Sequence, residues 1–118
     1  LFEEVKLGPT FDYLQVDCEP ARVTFDSMLK INLDKFKFAV ITFEHDKYND
    51  GDSVQNESRQ YLQDRGYVLI VDDISVDDQH PFEDWWAHPD LVDGNIIAAM
   101  KCVTGKTKKA EDYMLGKV

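Results

Sequence analysis

The sequence predicts an α/β fold, with a mostly parallel sheet, one antiparallel strand and helices on the sheet faces. Three observations predict it. Short β-rich runs alternate with longer stretches of helical periodicity. The run from Phe36 to Phe43 is almost continuously apolar at its centre, as strands covered on both faces are. The link between the third and fourth β-rich runs is too short for a helical crossover, so the last strand must reverse.

The first strand is Phe11-Asp12-Tyr13-Leu14-Gln15-Val16-Asp17, opened by Gly8-Pro9. Pro20 suits the first turn of a helix, where its missing N–H costs nothing. Val23, Met28 and Leu29, with Phe25 and Ile31 near them, give that helix a loose apolar stripe. The second strand, Phe36 to Phe43, ends in Glu44-His45-Asp46. A polar loop with Asn49-Asp50-Gly51-Asp52 follows, and Ser53 is the expected cap of the next helix. Over 53–65, Val54, Tyr61 and Leu62 share a face, and Gly66 stops the helix. Tyr67 to Val71 is the third strand.

Residues 72–81 form an acidic connection. Phe82 to His88 is the fourth strand, in which Trp85 and Trp86 point to opposite faces, one into the core and one under a helix. Asp93 is the expected cap of a helix across Ile96, Ile97, Met100 and Val103. The chain thus reads as one domain, 1–118, with its core in 11–103 and a basic linker and terminal helix in 104–118.

Composition excludes several functions. At 118 residues, 43% hydrophobic and 31% charged, the chain is an ordinary globular domain. No apolar run reaches the roughly 20 residues that cross a bilayer, so no membrane partner is expected. The net charge of −10 repels a phosphate backbone, so no nucleic acid is expected either. Cys18 and Cys102 are far apart and fit no metal spacing. They read as small apolar residues of a reducing compartment, which makes the expected location cytoplasmic.

An open α/β sheet binds ligands beyond the carboxyl ends of its parallel strands. That rule selects Asp17-Cys18-Glu19, Glu44-His45-Asp46 and Asp72-Asp73. A histidine flanked by acids can act as a general base whose proton affinity the carboxylates raise. The same residues can be polar strand ends that bind the following loops. No metal site is assigned. His80 and His88 read as loop hydrogen-bonders.

The runs FDYLQVDCEPARVTFDSMLKI, KFAVITFEHD, DRGYVLIVDDISV and PFEDWWAHPDLV together resemble the later half of FkbM-type methyltransferases. Asp17 and Glu19 match the first two acids of that family's Asp-x-Glu-Gly-x-Glu pattern, and Glu44 matches the acid closing the next strand. Pro20 replaces the glycine and Arg22 the third acid. The likeness covers roughly residues 11–92.

The resemblance implies a partial Rossmann-like methyltransferase sheet whose four strands are the fourth to seventh of the parent. The last would lie between the second and third, which leaves the first as a raw edge. It implies a S-adenosylmethionine-dependent enzyme acting on a small hydroxyl-bearing substrate, with Asp17, Glu19, Glu44 and His45 as the catalytic candidates. The six glycines of the chain include no G-x-G, and that loop is what brings backbone close to the cofactor. The cofactor-binding residues are therefore unknown, and no cofactor is expected on this chain alone, which reads as the C-terminal part of a longer domain. The alternative is a non-enzymatic interaction module. Either way, the raw edge leads to the expectation of a homodimer.

Overall fold

The computed structural model describes residues 10–75 and 79–103, the last three as backbone only. The expected Gly8-Pro9 opening, the Asp77-Asp78 pair, and the basic linker and terminal helix over 104–118 lie outside the described residues. In chain order the elements are β1 (Thr10–Val16), α1 (Ala21–Leu29), β2 (Lys37–Glu44), α2 (Lys47–Asp50), α3 (Asp52–Asp64), β3 (Val68–Ile74), β4 (Glu83–Ala87) and α4 (Gly94–Val103).

The sheet order is β1-β2-β4-β3. β1 pairs parallel with β2, and β4 pairs antiparallel with both β2 and β3. Three strands therefore point one way and β4 runs against them. Because β4 is inserted inside the sheet, both of its ladders are antiparallel and only one pair is parallel. The expected mostly parallel sheet is a mixed one. β1 lies at an edge.

α1 and α3 cover one face. Ala21, Thr24, Phe25 and Met28 are the buried residues of α1, at helical spacing. The apolar stripe read from the sequence is off by part of a turn, since Val23 and Leu29 are exposed. The short residues Ala21 and Thr24 let the helix sit close to the sheet. Pro20 stands just before the helix, where its carbonyl accepts from Val23 and Thr24 at 2.9 and 3.2 Å. These helices pack Phe25, Met28, Val54 and Leu62 against Ile41, Phe43 and Trp86.

The helix expected over 53–65 is α3, but Ser53 is not its cap. The helix begins one residue earlier, after Gly51 at φ +82°, and Ser53 instead donates to Glu57 at 3.0 Å. The loop before it contains the unpredicted turn α2. Gly66, at φ +88°, ends α3 as expected. Its N–H bonds the Gln63 carbonyl and that of Tyr67 bonds Leu62, so the last carbonyls are satisfied and Tyr67 enters the core.

α4 covers the other face over β3 and β4. Asp93 caps it, accepting from Asn95 N–H at 2.7 Å. Trp86 is fully buried on the α1–α3 side and Trp85 packs on the α4 side, the expected split. Among the described residues no helix is long and apolar enough to cross a membrane.

Candidate functional site

Strand alternation divides the carboxyl edge of the parallel strands into two groups on opposite faces. Val40 and Thr42 of β2 and Trp85 and Ala87 of β4 line a groove on the α4 side. Glu44 and Glu83, two residues further along, share that side and stand directly opposite one another in register. Tyr13 bonds Thr42 through its hydroxyl at 2.8 Å, which puts Tyr13, Gln15 and Asp17 on the same side. His45 and Asp84 alternate to the α1–α3 side.

The first group is an acidic cleft. Glu44 is half-buried, and burial together with the neighbouring Asp17 and Asp46 carboxylates pushes its pKa up to about 8. Glu44 therefore holds a proton near neutrality, with the Asp17 and Asp46 carboxylates beside it. Burial likewise raises Asp46, with Asp50 and Glu19 adding to the effect. Burial and the charge of Asp17 raise Glu83, while its bond from Trp85 Nε1, at 2.7 Å, works against the shift. Two further contacts shape the rim. Thr24 closes the turn between β1 and α1 by donating to the Cys18 carbonyl and accepting its N–H. Asp50 accepts the Ala21 N–H at 3.1 Å, tying the loop after β2 to the start of α1.

The second group is a buried ion-pair network. His45 is fully buried. Its Nδ1 accepts the Lys47 N–H at 3.1 Å, so the proton sits on Nε2, which lies 3.2 Å from Asp84 and 3.3 Å from Asp73. Arg59 reaches Asp84 through Nε at 2.8 Å and Asp73 through a terminal nitrogen at 3.0 Å. Gln55 donates to Asp73 at 2.5 Å, and Asp73 N–H donates to Asp84 at 2.9 Å. The hydrogen bond from His45 holds Asp73 down to about 2. Burial alone would raise Asp84, but its bonds from His45 and Arg59 outweigh burial and keep it ionised. Burial alone would lower His45, and the bonds to Asp73 and Asp84 outweigh it in turn.

His45, Asp73 and Asp84 bring their ligand atoms within 4.8 Å of one another, close enough for a metal ion. The hydrogen bonds argue against one. A metal at Nε2 would displace its proton and with it the hydrogen bonds to Asp84 and Asp73. Arg59 already supplies the positive charge that the buried Asp84 and the half-buried Asp73 require.

The structure thus brings Asp17 and Glu44 together at the strand ends and turns His45 to the opposite face. Glu19 lies on a shallow surface with Pro20, Asp46 and Asp50. Cys18 is a half-buried free thiol. His88 is buried, accepts Asp90 N–H at 3.1 Å and stacks edge-on against Tyr67. Sequence reasoning missed Asp84, Glu83 and Arg59. Asp84 carried a readable signal, an acid on the inward face of a strand two residues before the core Trp86, which demands a cationic partner. The chain matches no known protein family, no curated protein and no solved structure.

Proposed function

We propose that this chain is the C-terminal portion of a S-adenosylmethionine-dependent methyltransferase domain of the FkbM type, with Asp17, Glu19 and Glu44 on the substrate side of its cleft. One observation carries the reading. The order β1-β2-β4-β3, with the reversed β4 between β2 and β3, is the order that the resembling family's last four strands would take. The methyl donor arrives activated, so the chain's own residues need only orient a hydroxyl and take up its proton as the oxygen–carbon bond forms. Glu44 takes up that proton in its ionised form, which a group titrating at about 8 regains by exchange with solvent between turnovers. His45 touches no substrate in this reading. It positions Glu44 and Asp46, its neighbours in the chain, through the network behind them.

Calorimetry with S-adenosylmethionine tests the proposal. The present chain, lacking a G-x-G turn, should give no micromolar binding, whereas a polypeptide that adds the first half of the sheet should bind the donor. Tight binding by the chain alone, or none by the completed domain, would overturn it. A second reading, a non-enzymatic module, draws on the edge position of β1 and its exposed Phe11 and Tyr13. That reading requires a homodimer through β1, which sedimentation at several concentrations checks, and it is favoured over the first only if the completed domain binds no donor.

A further inference from the structure

The two ring nitrogens of His45 favour opposite protonation states. Nε2 faces Asp84 of β4 at 3.2 Å and Asp73 of β3 at 3.3 Å. Arg59 of α3 is the cation beside these acids, so while His45 is neutral the two carboxylates outnumber it. A second proton on the imidazole would balance that network. Nδ1 opposes it. This nitrogen accepts the Lys47 N–H at 3.1 Å, a bond that needs its lone pair. A proton on Nδ1 would set two donors against each other. The other charged groups around the imidazole are Asp46, Glu83 and the Lys47 ammonium, which lies 3.6 Å from Asp52.

The bond to Lys47 fixes a strained turn. The amides of Asp46 and Tyr48 bond the carbonyls of Phe82 and Pro81, each at 3.0 Å. The Lys47 amide between them turns to the imidazole instead, and Asp46 has φ +49°. A residue other than glycine keeps left-handed backbone only where its surroundings hold it there. Asp73, at φ +53°, is the other such residue among those described, and His45 bonds it too. The turn leads into the rim of the acidic cleft. Asp46 lies beside Glu44, and the Asp50 carboxylate accepts the Ala21 N–H at 3.1 Å.

We propose that His45 is a pH-operated latch: the neutral imidazole holds the loop from Asp46 to Asp50 through the Lys47 N–H, and protonation of Nδ1 releases that amide and frees the cleft rim while Asp73, Asp84 and Arg59 stay paired. Burial disfavours the imidazolium, but the bonds to Asp73 and Asp84 outweigh it, so proton uptake begins above the ordinary value of 6.5. The loop is therefore held in alkaline solution and released as pH falls through the folded value of His45. His45 acts as a positioning residue, and the latch works the same way whatever the cleft takes. It goes beyond the methyltransferase reading and does not depend on it. His88 supplies a contrast within the same chain. Its Nδ1 accepts the Asp90 N–H at 3.1 Å in the same two-residue turn. Its charged neighbours, Asp90 and Lys37, are opposite in sign, and burial lowers its proton affinity.

The test is an NMR titration of the 15N-labelled chain from about pH 9 to about pH 5. At the alkaline end the His45 ring should show a bare Nδ1. As the ring takes up its proton, protection of the Lys47 amide, corrected for the intrinsic pH dependence of exchange, should fall at least about tenfold. The Asp46 and Ala21 amide signals should move with the same midpoint. The Asp90 amide should stay protected at that midpoint. Asp73→Asn removes one of the two carboxylates, so the His45 midpoint should drop and the Lys47 release should follow it to lower pH. His45→Gln, which cannot titrate, should leave Lys47 protection flat. Four results would overturn the proposal: a proton on Nδ1 at the alkaline end, a ring that takes up no proton in this range, a ring that titrates while Lys47 stays protected, or a Lys47 release that ignores the Asp73→Asn shift. If either variant fails to fold, the titration of the unaltered chain still decides.

Discussion

His45 Nε2 lies 3.2 Å from Asp84 Oδ1 across the β2–β4 ladder, with both side chains fully buried. On the opposite face of the same two strands, Glu44 and Glu83 stand directly opposite each other, and burial raises the proton affinity of both. A protonated Glu44 spares the ladder the like-charge repulsion that two ionised acids there would impose.

Removing Asp84 should therefore be severe. Asp84→Ala strips Arg59 and His45 of their one fully buried anion and leaves both to Asp73, which is partly exposed. The expected loss is about 3–5 kcal/mol in urea unfolding. A loss below about 1 kcal/mol would mean that the network contributes little.

Stability should fall toward both ends of the pH scale, for opposite reasons. Asp73 is held at about 2 in the folded chain, so its contribution is present above its unfolded value near 3.8 and is lost as pH falls through 2. Glu44 is raised to about 8, so its contribution is present below 4.5 and is lost as pH rises through 8. His45 is raised as well, so its share is present below 6.5 and disappears as pH climbs through its folded value. Glu44→Gln should flatten the alkaline limb of thermal melts and leave the acid limb unchanged.

The Glu44 shift should depend on Asp17, just past the end of β1. Burial is its largest cause and the Asp17 carboxylate the next. Asp17→Asn should therefore lower the Glu44 midpoint, read by carbon-13 NMR of the side-chain carboxyl. An unmoved midpoint would show that the two strand ends do not share a proton.

Gly66 tests the end of α3. It has φ +88°, and an added Cβ would sit 3.4 Å from His88 Nε2. Gly66→Ala should cost about 1–2 kcal/mol for the left-handed backbone. Its downfield or upfield His88 ring shifts should report the contact. An unchanged melting temperature would contradict the assignment of that backbone.

The sequence by itself determined the elements other than the short turn α2 and the end of β3, because their signals are local. The apolar centre of β2, the alternation of Trp85 and Trp86, the stop at Gly66 and the cap at Asp93 are each visible within a few residues. It also selected the carboxyl edge where Asp17 and Glu44 meet. Only the tertiary structure decided which acids face the cleft and which are neutralised behind it. A salt bridge between Arg59 and Asp84 joins residues 25 positions apart, and nothing in the local pattern of either residue names the other. His45 shows the same limit, since its flanking acids are near in sequence while alternation turns them to the opposite face and leaves the imidazole to partners on β3 and β4.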